Sequence, residues 1–437
     1  MTVVSDSPAA PDFPGAEALP GAAAALRDGM ARGLHAGAQL YVSLGGRMVA
    51  DFALGEARPG VAMTSDTLVP WLSAGKPLTA VALARLWERG LLDIDDPVAK
   101  HLPEYAAGGK HRTTLRHLLT HTSGVPAIDL DWVNRPWPAL VAEVCAATLP
   151  EGVVPGVKAA YDPQANWFAL GEVVRRAHAR VTAPDDEEDQ PDLFNTDAPG
   201  DETPDAPNPA ESAEGRAFAR ILVEEVFAPL GMADSWMGLP ADRQRAYGDR
   251  VALLHESAAL GAPDGTRPAV APWDTPTCIA AVSPGGGARG PVRELARLYE
   301  CLLRRGALAL AGGGPASDPA RPPGRLLAAP TVEALTARHR VDTFDTTFRH
   351  KVDWGLGFLV DSNRHGAPTI PYGYGIHASP RTFGHGGRQS VAAFADPVHG
   401  LAVAVFFNGL PGEARHSKRI REFATAVYAD LGLVSPR

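Results

Sequence analysis

Cysteine is scarce in this chain. Cys145, Cys278 and Cys301 are spread over 437 residues, with no C-x-x-C among them. An odd, dispersed set argues against a disulfide framework, and the lack of paired spacing argues against a zinc site. Long apolar runs are also missing, and none approaches the ~20 residues that cross a bilayer. The opening stretch, MTVVSDSPAAPDFPGAEALPG, has neither a basic n-region nor an apolar h-region, so no signal peptide is expected. Basic charge forms no stripe that would follow a nucleic-acid backbone. The net charge is −9, but twelve Asp and Glu and no Lys or Arg fall between Asp185 and Glu214, and without those twelve the remainder stands at +3. These absences point to a cytoplasmic protein without membrane or nucleic-acid partners. Apolar content of 45% and charged content of 21% are those of a globular chain with ample core.

The pattern along the chain suggests an α/β (α+β) architecture. Residues 1–14 read as a disordered leader, rich in Pro, Ala and Ser. Residues 22–34 carry Leu26, Met30 and Leu34 on one helical face. Two β-prone runs then flank Gly45-Gly46, a hairpin signature. The middle of the chain is helical, and 184–215 is an acidic, Pro-rich insert too poor in apolar residues to offset its ordering entropy. VDWGLGFLVD and SVAAFADPVHGLAVAVFFN read as strands, and Ile420, Phe423, Val427, Tyr428 and Leu431 as a last amphipathic helix. The expected organisation is a sheet lobe from 15–72 plus 270–437, its antiparallel sheet built by both chain ends and flanked by helices. A mainly helical lobe, 73–269, is inserted between them.

The chemistry centres on VPWLSAGKPLTAVALARLW, residues 69–87. Ser73 and Lys76 stand three apart, followed by Leu78, Val81, Ala82 and Leu86 at helical spacing. That spacing puts both on one face, one turn apart. The helix N-terminus favours an alkoxide, and an ammonium under apolar cover loses solvation and becomes a base. Pro77 is tolerated only in the first turn. A second feature is Phe383-Gly384-His385-Gly386-Gly387, just before a strand. Its glycines allow close backbone approach to a ligand, and His385 could supply a proton donor or a cation beside an oxyanion. A leaving group also needs a proton source. Tyr161 is a candidate, since a phenol held beside a cation has a lowered pKa, but sequence alone prefers it to no other tyrosine.

Three patterns compete with these. His117 and His121 have metal-ligand spacing but no intervening Glu and no third ligand, so they read as structural. GGGARG, 285–290, fits a dinucleotide loop but lacks the acidic residue about twenty positions on. Ser283 resembles a nucleophile elbow, yet Pro284 after it has no N–H for an oxyanion hole. No metal or organic cofactor is expected.

Seven blocks then occur in order: SAGK, WERGLLDIDDPVAKHLPEY, TLRHLLTHTSG, PGVKAAYDP, APLGMADSWMGLP, VDWGLGF and FGHGGRQSVAAFADPVHGLAVAVFFN. Together they resemble the class C β-lactamase-like serine hydrolases, which include D-alanyl-D-alanine carboxypeptidases, family VIII esterases and simvastatin-type transacylases. The resemblance implies the β-lactamase/transpeptidase-like fold. It makes Ser73 the acylated nucleophile, Lys76 its base and Tyr161 the tyrosine of Y-x-N. It puts His385, Gly386 and Gly387 at the K-T-G position. The oxyanion hole would be the N–H groups of Ser73 and Arg388. Two departures stand out: Pro163 replaces the Y-x-N asparagine and His385 the K-T-G lysine. Both argue against an efficient β-lactamase, and the missing signal peptide argues against a cell-wall D-Ala-D-Ala carboxypeptidase. The expected activity is acyl transfer through an acyl-enzyme on a small or medium carboxylic ester. An ATP-independent transacylase, joining the acyl group to an amine or alcohol, is the alternative, and a non-catalytic binding protein a remote one.

Overall fold

The computed structural model describes residues 15–182, 212–257, 273–309 and 324–434. The expected leader 1–14 and residues 184–211 of the expected insert lie outside them. The last four residues assigned to that insert, 212–215, are instead the cap and first turn of a helix, because the Ser212 hydroxyl accepts the Gly215 N–H at 3.2 Å.

Eight strands form one antiparallel sheet. The first three come from the start of the chain: β1 (Gly37–Leu44), β2 (Arg47–Arg58) and β3 (Val61–Ala62). The other five come from its end: β4 (Asp353–Trp354), β5 (Leu359–Val360), β6 (Phe383–Gly387), β7 (Val391–Asp396) and β8 (Leu401–Phe407). Their order is β4-β5-β6-β7-β8-β1-β2-β3, so the chain ends meet where β8 pairs β1, Val42 opposite Val403. Gly45 and Gly46, at φ 58° and 76°, make the tight β1–β2 turn that only positive φ at both positions allows.

The sheet is covered on both faces, which is why β7 and β8 read as continuous apolar runs. In β7, Val391, Ala393 and Ala395 join one core while Ala392 and Phe394 join the other. The helix pair α1 (Pro20–Ala31) and α8 (Glu413–Asp430) covers the second face with Leu26, Ile420, Phe423, Val427 and Tyr428. Each such side chain contributes about 1.5–3 kcal/mol on burial. Asp430 at the end of α8 accepts the Gly21 and Ala22 N–H groups at 3.0 and 2.8 Å, fixing the start of α1.

Helices α2 (Lys76–Glu88), α3 (Leu115–Leu119), α4 (Trp137–Ala146), α5 (Ala165–Thr182) and α6 (Ala213–Leu222) precede α7 (Val292–Leu303), which lies against β7 and β8. Every residue of α2 from Lys76 to Ala84 is buried, as expected of a helix apolar all round. Against it lie Leu170, Val173 and Val174 of α5, in the same core cluster as Leu78 and Val81. Helix α3 ends at Leu119, and His121 at φ 56° turns the chain inward. Among the described residues no helix is long and apolar enough to cross a membrane.

Candidate active site

Ser73 sits in a 3-10 turn, Leu72–Gly75, directly before α2. A short ladder pins the turn: Val69 and Pro70 pair with Gly290 and Arg289, and the Trp71 indole N–H donates to Gly290 O at 2.9 Å. Leu72 holds φ 47°, a left-handed conformation that costs an ordinary residue about 1–2 kcal/mol. Pro77, second in α2, falls where its missing N–H breaks no helical bond.

Lys76 is fully buried under this turn. Its Nζ lies 3.0 Å from Ser73 Oγ, 2.8 Å from Pro163 O and 2.7 Å from Gly285 O. A neutral amine has two N–H bonds and one lone pair. The two carbonyls accept only, so they take both N–H groups, and the lone pair is left facing Ser73 Oγ. Burial pushes the ammonium down to about 7, while the Asp162 carboxylate opposes part of that fall. The amine is thereby poised near neutral pH with its lone pair toward the Ser73 hydroxyl.

Tyr161 completes the cluster, its hydroxyl donating to Ser73 Oγ at 2.8 Å. The expectation of a lowered phenol pKa is overturned. Burial pushes the phenol above its ordinary value, against the opposing pull of the Ser73 hydrogen bond. Lys76, itself pushed toward neutrality, supplies little charge to lower it. Tyr161 is thus held as a neutral phenol whose O–H points at Ser73 Oγ. Its ring is fixed by Trp354, Phe348 and His121, at centroid distances of 5.9, 4.9 and 4.7 Å.

His385 lies beside this cluster, 6.2 Å from the Tyr161 ring and 5.5 Å from Trp354. It is not the cation that the sequence allowed. Burial and the nearby Lys76 hold its pKa down to about 3, so it is neutral. Its Nδ1 is 2.7 Å from Gly386 O, which makes Nδ1 the protonated nitrogen, and Nε2 is buried without a partner among the described residues. Gly386 and Gly387 are glycines for want of space. A Cβ on Gly386 would stand 2.5 Å from the Tyr372 ring, and one on Gly387 2.5 Å from Trp71 O. The end of β6 therefore abuts the residues just before Ser73. Arg388 follows, its guanidinium 5.1 Å over the Trp273 ring. Among the described residues, the N–H groups of Ser73 and Arg388 donate to no other group.

Sequence reasoning missed the carbonyl clamp on Lys76. Its signal was visible in Gly285, read then as part of a nucleotide-loop look-alike. Gly285 and Gly286 line the cavity, and Pro284 O accepts the Thr79 hydroxyl at 2.8 Å. Ser283 is buried, and among the described residues its hydroxyl has no hydrogen-bond partner. The His pair separates. The His117 Nδ1 accepts the Thr114 N–H at 3.1 Å and caps α3, whereas the His121 Nδ1 accepts the Asp162 N–H at 3.0 Å. Among the described residues no three His, Cys, Asp or Glu gather to hold a metal.

A cavity of about 520 Å³ opens over Ser73, Tyr161, His385 and Arg388, walled by Ile128, Trp132, Trp273, Phe348 and Tyr372. Such an apolar wall with a few convergent polar groups suits a small organic ligand.

A family model described as Beta-lactamase matches residues 22–189 and 210–426. Esterase/beta-lactamase LipL of Mycobacterium tuberculosis is 27% identical over 384 residues, 86% of this chain and 77% of that protein. Esterase EstB of Burkholderia gladioli is 43% identical over 76 residues, a stretch that covers 16% of this chain and 19% of the esterase. A penicillin-binding protein homologue from Caulobacter crescentus has a solved structure with 25% identity and a TM-score of 0.68, the match covering 95% of this chain and 98% of that one. With the antiparallel sheet, the inserted helices and the Ser73–Lys76 turn all in place, the chain belongs to the β-lactamase family of serine hydrolases and acyltransferases.

Proposed function

We propose that this enzyme cleaves carboxylic esters through an acyl-enzyme on Ser73. The observation that carries the reading is the convergence on Ser73 Oγ of a buried amine at 3.0 Å and a phenol at 2.8 Å. In the proposed reaction Lys76 takes the Ser73 proton as Oγ attacks the ester carbonyl. The tetrahedral oxyanion lies between the N–H groups of Ser73 and Arg388, an arrangement whose donors are each worth about 2.7–4 kcal/mol. The C–O bond then breaks and Tyr161 gives its proton to the departing alkoxide. The proton held by Lys76 makes good that loss. Water attacks the acyl-enzyme by the reverse sequence.

Neutral His385 and the side chain of Pro163 favour esters over β-lactams. Neither offers the cation or the amide that would hold a carboxylate and an amide beside the scissile bond. The aromatic wall of the cavity favours a second outcome, transfer to an alcohol or amine, since it disfavours water and accommodates an organic acceptor. The three cysteines are buried and unpaired, which suits the reducing cytoplasm in which we place the enzyme.

The test is intact-protein mass after a rapid acid quench with p-nitrophenyl acetate. Wild type should carry one acyl group and Ser73→Ala none. An adduct of equal extent on Ser73→Ala would overturn the proposal. Added alcohol or amine that diverts the acyl group from water would assign transfer.

A further inference from the structure

The turn after β6 carries Arg388, and the residue that holds this turn is Gln389. Its φ is 49°, a left-handed conformation that a glutamine adopts only when its surroundings enforce it. All four of its polar groups are engaged. The backbone N–H donates to the Tyr372 hydroxyl at 3.3 Å, and the backbone carbonyl accepts from Arg419 Nη2 at 2.9 Å. The side-chain Nε2 donates to Glu413 Oε1 at 3.0 Å, and Oε1 accepts the Gly412 N–H at 2.7 Å.

The partners are tied to one another. The Tyr372 hydroxyl donates to Glu413 Oε2 at 2.6 Å, and Tyr372 is itself left-handed at φ 54° with its ring laid on Gly386. Glu413 is the first residue of α8, where a carboxylate complements the helix terminus. Arg419, buried one and a half turns on, also donates to Leu34 O at 2.8 Å and to Gly409 O at 3.1 Å. The start of α8 thus grips the active-site turn, with Glu413 and Tyr372 standing at the cavity wall. A turn without this grip would relax from the left-handed conformation at Gln389 and swing the Arg388 N–H away from Ser73.

We propose that Gln389, held by Glu413, Tyr372 and Arg419, is a positioning residue that aims the Arg388 N–H into the oxyanion hole. The proposal rests on the acyl-enzyme reading above. It assigns Gln389 no contact with substrate, so its loss should weaken the transition state and leave ground-state binding intact. Removing an oxyanion donor outright costs ~10²–10³ in kcat, and misaiming one should cost about 10–100-fold.

The experiment is steady-state hydrolysis of p-nitrophenyl butyrate by full-length wild type, Gln389→Ala, Glu413→Ala and Glu413→Gln, with Tm measured for each. Gln389→Ala and Glu413→Ala should lower kcat about 10–100-fold with KM within about threefold. Glu413→Gln keeps an acceptor for Gln389 Nε2 and should recover most of the loss seen in Glu413→Ala. Should Gln389→Ala fail to fold, the Glu413 pair carries the test, because that side chain is exposed. Unchanged kcat in Glu413→Ala, a loss expressed in KM, or a Glu413→Gln as poor as Glu413→Ala would each overturn the proposal. Acylation of wild-type Ser73, measured by mass, separates failure of the clamp from failure of the acyl-enzyme reading.

Discussion

Lys76 Nζ and Gly285 O lie 2.7 Å apart, and Gly285 admits this approach because it has no side chain. A Cβ there would stand 2.7 Å from Pro163 O and 3.2 Å from Lys76 Nζ, pressing on both carbonyl–amine contacts at once. Gly285→Ala should therefore displace the base. We expect kcat on a nitrophenyl ester to fall about 10–100-fold and stability to drop about 1–3 kcal/mol. Kinetics and thermal melts on the purified variant measure both. Full activity would mean that the Lys76 position does not depend on this carbonyl.

The pH profile follows from the buried amine. Lys76 is pushed down to about 7, and only its neutral form accepts the Ser73 proton. Below that pH the amine is protonated, so kcat/KM should fall about tenfold per pH unit on the acid side and level off above it. His385, neutral down to about pH 3, should add no limb of its own between pH 5 and 9. A profile flat from pH 5 to 9 would remove Lys76 as the base.

Tyr161→Phe deletes one hydroxyl and keeps the ring that Trp354, Phe348 and His121 hold. Loss of the proton donor should lower kcat about 10²–10⁴-fold. Loss of one hydrogen bond should cost only about 0.5–1.5 kcal/mol of stability. Turnover and Tm, measured side by side, separate these. A variant as active as wild type would leave the leaving-group proton to another donor.

His121→Ala should behave in the opposite way. It leaves a cavity between Tyr161, Trp354 and Trp167 and orphans the buried Asp162 N–H. The expected cost is about 2–4 kcal/mol of stability. Denaturant unfolding gives the value. Retention of full stability would show that the pocket closes over the gap.

Much of this architecture was legible in the sequence. The Gly45-Gly46 turn, the continuous apolar runs of β7 and β8 and the helical spacing of Leu78, Val81, Ala82 and Leu86 in α2 are local patterns. Local patterns set element type because side-chain period and backbone sterics act between near neighbours. The spacing of Ser73 and Lys76 likewise sufficed to bring a serine hydroxyl and an amine together at one turn. Tertiary structure alone decided their charge states. The lysine is poised near neutrality, the tyrosine stays protonated and His385 is neutral because each is buried by segments distant in sequence. Desolvation depends on everything that packs around a group, and no run of neighbouring residues encodes it. The same holds for the grip of α8 on Gln389, and for the Pro163 and Gly285 carbonyls that claim both N–H bonds of Lys76 and turn its lone pair toward Ser73.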